Sequence, residues 1–276
     1  MTAAETILKK GILPTHLDSA EIRAQIAAEI RRRSIFSARV TKAGYLERMR
    51  EAFAKVASGE WNDAKAREVM QQALDDLGFD RDSKLFTDEL GLRPPPEKGS
   101  LQDLASRARM NLQLETPVRM ARSVAQAKAG STPAALAQFP AWKLVRIYGR
   151  RVPRDWAMRW MAAGDSVAWE GAAKGYPGPT GEPRMIALKS SPIWQAIGDG
   201  AGGFEDTLGN AYPPFAFGSG LGWIEATADE AKEAGLGASG PVKVDLSPGE
   251  KEISAALDRL GPAFKQGLLK ALGGAA

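Results

Sequence analysis

The middle of the chain interleaves arginines with aromatic residues, and this mixture is its clearest candidate for a binding surface. The arginines are Arg146, Arg150, Arg151, Arg154 and Arg159, and the aromatic residues among them are Trp142, Tyr148, Trp156 and Trp160. Guanidinium groups bind phosphates and aromatic rings stack on bases, so the stretch can contact nucleic acid. Arginines that pack over tryptophans in a protein interface or interior give the same pattern, and this second interpretation is favoured. In either case we predict binding rather than catalysis.

Two other patterns resemble ligand-binding sites, one for calcium and one for phosphate. Neither has the residue spacing that such a site needs. Asp75, Asp76, Asp80 and Asp82 resemble a calcium-binding cluster, yet the twelve-residue loop with a terminal Glu is missing, so a solvated acidic turn is favoured. The glycines at 200–203 and 218–222 resemble phosphate-binding loops. Neither set follows a clear strand and opens a helix with the required spacing, so we expect tight turns there.

Composition excludes several classes of catalytic site. The chain has no cysteine and a single histidine, His16, which excludes disulfides, thiolate metal sites and any site that needs two imidazoles. A Ser-His-Asp triad could use only His16, which has no motif around it. Carboxylate-bound Mg²⁺ or Ca²⁺ stays open. We nevertheless expect no catalytic residue, no metal and no cofactor.

The charge and hydropathy of the chain limit its partners. The 276 residues carry a formal net charge of +4, which is compatible with a nucleic-acid neighbour without requiring one. The sequence has no run of about 18 apolar residues and no signal peptide, so we expect a soluble cytoplasmic protein that does not contact membranes.

Residues 212–223 combine prolines, glycines and aromatic side chains more densely than ordinary loops do. The two prolines exclude a helix or a central strand, and the glycines allow positive φ or close backbone approach. We predict a rigid, packed loop with a structural or docking role. Its candidate interface residues are Tyr212, Pro213, Pro214, Phe215, Phe217 and Trp223.

The first part of the chain predicts helices only. Asp18 and Glu21 form a capping box, followed by one helix with Ile22, Ile26 and Ile30 on one face. A second helix carries an apolar stripe from Tyr45 to Val56. A third helix begins after Asn62 and ends at Gly78. Two further helices are predicted from Ser100 and from Thr116-Pro117, the latter through Ala127.

The second part predicts a loop-rich, aromatic core with short strands at 142–148, 185–188 and 223–226. Short helices are expected at 154–160, after Ser191-Pro192, and after a Thr227 cap. An apolar stripe from Ile253 to Leu268 predicts a C-terminal amphipathic helix. The fold class is therefore mainly α with a small α+β C-terminal part.

Several blocks of the sequence, taken in order, resemble the phage head-morphogenesis family of Mu F-like minor head proteins. The blocks are 34–41, 45–46, 64–67, 77–79, 109–112, 116–121, 139–142, 153–156, 212–223 and 231–236. The better-known branch of that family has a Cys-Gly-Cys pattern after the two prolines, where this chain has Phe215 and then Gly218-Ser219-Gly220. No metal or redox role of those cysteines is carried over.

The resemblance implies a minor virion protein that associates with the portal vertex and supports head assembly or DNA retention. Its implied partners are the portal protein, the major capsid protein and packaged double-stranded DNA, and it would be oligomeric only within the particle. The helical patterns, the prolines at 94–96 and the resemblance together predict a helical region at 1–93, a proline-rich linker at 94–99, a head-morphogenesis-like α+β domain at 100–236, and a Gly/Ser linker with the C-terminal helix at 237–276. The alternatives are an enzyme that acts on nucleic acid or nucleotides and a head-to-tail adaptor.

Overall fold

The computed structural model describes residues 2–79, 96–149, 154–169 and 184–242. The protein is mainly α with a small β part, as predicted. It divides into two compact units. We call them the N-terminal unit, which takes in residues up to Arg122, and the C-terminal unit, Ser123–Asp245.

The N-terminal unit begins with short elements and continues with longer helices. In order these are α1 (Ala3–Leu8), β1 (Gly11–Ile12), α2 (Ser19–Gln25), α3 (Ala28–Arg33), β2 (Ser34–Ile35), α4 (Ala43–Ser58) and α5 (Asp63–Asp76). The capping box of Asp18 and Glu21 is present at α2, and Asn62 accepts a hydrogen bond from the Lys65 amide at the start of α5. These two predicted helix starts are confirmed.

The predicted single helix through Ile22, Ile26 and Ile30 is wrong, because the chain breaks between α2 and α3. Ile26 has extended backbone geometry (φ −105°, ψ 116°), yet all three isoleucines are buried in one cluster with Leu13 and Leu17. Burial of the isoleucines therefore does not require a continuous helix. The expectation of helices alone also misses β1 and β2, which pair in parallel with Gly11 opposite Ser34.

A long helix, α6 (Arg107–Ala129), replaces the two helices predicted from Ser100 and Thr116. Pro117 lies inside it and supplies no amide hydrogen, which disfavours a helix interior. The buried residues Leu114, Val118 and Ala121 lie on either side of this proline, so burial of this face outweighs the local penalty.

The two units divide between Arg122 and Ser123, inside α6. Side chains explain why the first part of α6 belongs to the N-terminal unit. Arg109 donates to the Ala38 carbonyl at 2.9 Å, and Arg122 donates to the Val56 carbonyl at 2.9 Å. This division does not coincide with the predicted linker at 94–99; residues 80–95 lie outside the described residues, so the linker itself stays a prediction.

The C-terminal unit is built around a three-stranded antiparallel sheet. Its further elements are α7 (Pro133–Gln138), β3 (Ala141–Arg146), α8 (Trp156–Ser166), β4 (Ile186–Leu188), α9 (Ile193–Asp199), β5 (Leu221–Ala226) and α10 (Ala228–Glu233). The strand order is β4-β3-β5, with Leu144 opposite Trp223. On one face, Ala231 of α10 and Ala234 at its C-terminal end pack with Ala141 and Ala226 of the sheet.

Most elements predicted for this unit are confirmed, including all three strands and the Thr227–Glu230 capping box of α10. The sequence did not predict α7, and it underestimated the length of α8. Gly200 ends α9 in the left-handed conformation, with φ 80°, which confirms a turn at 200–203. The predicted loop at 175–183 and the C-terminal stripe from Ile253 lie outside the described residues.

Candidate functional site

Aromatic rings in mutual contact form the centre of the C-terminal unit, and we call this group the tryptophan core. Its members are Trp142, Trp160, Trp169, Trp194, Phe215 and Trp223. Trp142 of β3 and Trp223 of β5 stack with a centroid distance of 3.8 Å and an interplanar angle of 10°. They come together because Trp142 and Trp223 occupy the same face of paired strands.

Trp194 of α9 is the hub of the core. Its ring meets Trp160 edge-on at 5.3 Å and Trp223 at 5.6 Å. Edge-on contacts of this kind are favourable because the positive edge of one ring faces the negative face of the other. The sequence suggests that Trp223 lies among tryptophans, but it does not identify Trp194 as a neighbour.

The loop at 212–223 is folded into this core, as the sequence predicts. Phe215 is fully buried and adopts positive φ, 40°, although it has a side chain. Ser219 fixes the loop internally, because its hydroxyl donates to the Pro214 carbonyl at 2.6 Å and accepts from the Leu221 amide at 3.2 Å. The peptide bond between Pro213 and Pro214 is cis, and Gly218 and Gly220 both have positive φ.

Two of the candidate arginines bind a carboxylate of their own chain. Arg154 Nε lies 2.6 Å from Asp206 Oδ2, and Arg159 NH1 donates to Asp206 Oδ1 at 2.7 Å. The Arg159 guanidinium also lies 4.3 Å from the ring centroid of Phe204. Burial would raise the pKa of Asp206, but the hydrogen bonds and charges of Arg159 and Arg154 outweigh it and hold this pKa below its usual value.

Arg146 does not take part in this pairing with Asp206. Arg146 is exposed at the end of β3, where its guanidinium reaches the Ser219 carbonyl at 3.5 Å. Arg150 and Arg151 lie outside the described residues. Arg154 also donates to the Phe217 carbonyl at 2.9 Å, so it joins α8 to the loop at 212–223. Among its described residues, the arginine and aromatic pattern therefore combines packing contacts with a surface cation at Arg146.

Most aromatic and proline candidates are inside the C-terminal unit. The buried candidates are Trp156, Tyr212, Pro213, Pro214, Phe215 and Trp223. Phe217 is half-buried. These buried side chains contact the interior of their own unit, and the interface role predicted for them stays a prediction.

A buried lysine, which the sequence does not single out, completes the polar part of the core. The Lys189 ammonium donates to the Gly130 carbonyl at 2.9 Å and lies 5.4 Å from the ring centroid of Trp142. Its distance to Glu225 Oε2 is 2.6 Å, an ion pair without hydrogen-bond alignment. Lys189 thus joins the end of α6 to the sheet. No sequence motif marks it, because its partners come from segments far away in the chain.

Among its described residues, the N-terminal unit contains one buried amine. Lys10 is 9% exposed, and burial lowers its pKa to about 8. Arg50 donates to the backbone carbonyl of Lys10 at 3.1 Å.

Over the described ranges, no group of three His, Asp or Glu side chains is arranged to hold a metal ion. In the same part of the chain, no helix has the length and apolar character needed to cross a membrane.

Comparisons with protein-family models, with curated proteins and with solved structures gave no match to this chain.

Proposed function

We propose that the chain is a minor capsid protein, a head-morphogenesis protein of a tailed phage or a prophage-derived particle. It would associate with the portal vertex and support head assembly or retention of packaged DNA. The supporting resemblance is carried by sequence blocks that are separated along the chain. In the C-terminal unit, three of these blocks share one core.

The convergence of these blocks is the observation that carries the proposal. Trp142 from the block at 139–142 stacks on Trp223, the last residue of the block at 212–223. Arg154, from the block at 153–156, donates to the carbonyl of Phe217 in the same loop. Blocks that pack in one core belong to one folded unit, which supports a resemblance to a whole domain rather than to unrelated short segments.

The proposed partners are the portal protein and the major capsid protein, with double-stranded DNA as a further partner. The DNA contact rests on Arg146 and on Arg150 and Arg151, because Asp206 already pairs with Arg154 and Arg159. In this proposal the protein is not an enzyme, and it acts in the virion after assembly in the host cytoplasm.

Purified particles test the proposal directly. We expect mass spectrometry of gradient-purified heads to find this chain in a small number of copies per portal ring. Deletion of its gene should reduce the yield of DNA-filled heads, and expression in trans should restore it. Absence of the chain from heads, with normal yield after deletion, would contradict the proposal.

The DNA part of the proposal has a separate test. Arg146→Ala leaves the core intact, so its effect reports on surface binding. If phosphates are bound, binding of the unmodified protein to duplex DNA should fall steeply as salt increases, because each phosphate contact releases counterions. Arg146→Ala should reduce that slope, and salt-independent association would remove DNA from the list of partners.

A further inference from the structure

Three indole N–H groups of the C-terminal unit are buried and have no hydrogen-bond acceptor among the described residues. They belong to Trp156, Trp160 and Trp223, which are 3%, 0% and 5% exposed. Within the described residues, the Nε1 atom of each has no hydrogen-bond partner. Buried polar groups in folded proteins are almost always paired, with protein groups or with internal water.

Two other indoles in the core have acceptors from the protein. Trp194 Nε1 donates to the Leu188 carbonyl at 2.8 Å, and Trp142 Nε1 donates to Glu225 Oε1 at 3.4 Å. The fold therefore supplies acceptors to some of its core tryptophans. Among the described residues, it supplies none to Trp156, Trp160 and Trp223.

Asn210 adds an unpaired acceptor to the same unit. Its side chain is fully buried, and its Nδ2 donates to the Tyr212 carbonyl. Its Oδ1 has no donor among the described residues. Asn210 is held against α9, because a Cβ added at Gly198 would clash with the Asn210 carbonyl oxygen. The indoles require acceptors and Asn210 Oδ1 requires a donor, and water can serve as either.

The residues around the three indoles and Asn210 favour a small, neutral molecule as their hydrogen-bond partner over an anion or an organic ligand. The nearby cations Arg159 and Lys189 already pair with Asp206 and Glu225. The ring of Trp194 contacts those of Trp160 and Trp223 at centroid distances of 5.3 and 5.6 Å, and such close packing favours a molecule the size of water over an organic ligand.

We propose that ordered water molecules are built into the core of the C-terminal unit. They accept from the indoles of Trp156, Trp160 and Trp223, and they donate to Asn210 Oδ1. Folded proteins hold about one buried water per 27 residues, typically bound to otherwise unpaired polar groups, so a unit of this length is expected to contain several.

Nuclear magnetic resonance of the full chain tests the proposal. With ¹⁵N-labelled tryptophan, and with single Trp→Phe variants for assignment, each indole hydrogen gives its own signal. We expect cross-peaks to water, with the sign of a long-lived bound molecule, at Trp156, Trp160 and Trp223. Trp194 is the control, because its buried indole donates to Leu188 and should show no such cross-peak. Identical spectra at all four indoles, without water cross-peaks, would overturn the proposal.

Replacing a tryptophan with an analogue of the same volume gives an independent test, in which the melting temperature is measured. Benzothienylalanine has the shape of tryptophan with sulfur in place of the N–H, so it removes only the donor. If water accepts from Trp160 and Trp223, replacing either should lower the melting temperature, as it should at Trp194. An unchanged or raised melting temperature at Trp160 and Trp223, with a lowered one at Trp194, would show that these donors are truly unpaired and would overturn the proposal.

Discussion

At the scale of single residues, Asp206 determines what two of the candidate arginines do. A sequence pattern of arginines between tryptophans is the same whether the cations face a ligand or an internal acid. The acid here is 47 residues away from Arg159 in the chain, so local spacing cannot reveal the pair. The structure shows that the guanidinium groups hold α8 to the segment around Phe204 and Phe217.

Replacing this acid should destabilise the C-terminal unit. Asp206→Asn leaves two partly buried cations without their anion, and loss of hydrogen bonds to a charged group costs about 1.5–3 kcal/mol. Asp206 is 37% exposed, so we expect a value near the lower end of that range. Thermal or urea unfolding measures the change. Glu205→Gln is the matched control, because Glu205 is exposed and adjacent, and it should have little effect.

The pH dependence of this contribution has a definite sign. The pKa of Asp206 is lower in the folded protein than its ordinary value of 3.8, so the folded state favours the carboxylate. The stabilisation is therefore complete above the unfolded pKa and is lost as the pH falls through the lower folded value. The difference in stability between the wild type and Asp206→Asn should shrink in acid. A difference that stays constant below pH 3.8 would contradict this account.

Gly220 should resist substitution for a conformational reason. Its φ is +72°, a region that a residue with a Cβ adopts only with strain, so Gly220→Ala should cost about 1 kcal/mol. Gly44→Ala is the control, because Gly44 lies in α4 with nothing within 4 Å of an added Cβ. That change should be neutral or stabilising, since alanine favours the helix. Equal melting temperatures for the two variants would contradict this account, because they would show that the loop accepts a Cβ at position 220 without strain.

At the scale of elements, the loop at 212–223 leads into β5. Trp223 is the largest side chain that this stretch buries in the core. Trp223→Ala should cost about 3–5 kcal/mol, as deletions of large aromatic side chains in cores do. Chemical denaturation measures this loss. Trp61→Ala is a suitable comparison, because Trp61 is partly exposed and lies in the N-terminal unit, and it should cost much less. Unchanged stability of Trp223→Ala would contradict the assignment of this residue to the core.

The sequence predicts elements well where the local signal and the tertiary packing agree. The caps at Asp18, Asn62 and Thr227 are local hydrogen bonds, so residue types alone locate them. The helix break at Ile26 and the continuous helix through Pro117 depend on what those segments bury. The sequence likewise does not predict the pairing of Lys189 with Glu225, because this contact depends on the register of separate strands. Aromatic composition predicts a core, but not which rings touch.

At the scale of the whole molecule, the tryptophans are distributed unevenly between the two units. Six of the seven lie in the C-terminal unit, with Trp61 the exception. Tryptophan fluorescence should therefore report mainly on the C-terminal unit, while far-UV circular dichroism reports on helices of both units. We expect Trp223→Ala to lower the midpoint seen by fluorescence more than the midpoint seen by circular dichroism. An equal shift of both midpoints would show that the two units unfold as one cooperative system.

The order of the strands along the chain has a consequence for how the protein is made. β3 is the middle strand, yet both of its neighbours are synthesised later, and the partner of Ala141 is Ala226, 226 − 141 = 85 residues downstream. At roughly 5–20 residues per second, the ribosome needs about 4–17 seconds to add that length. During this interval Trp142 and Leu144 have no strand at β5 to cover them, and such long-range pairing also slows folding. We therefore expect the nascent C-terminal unit to bind chaperones, and its soluble yield should rise when they are supplied in excess.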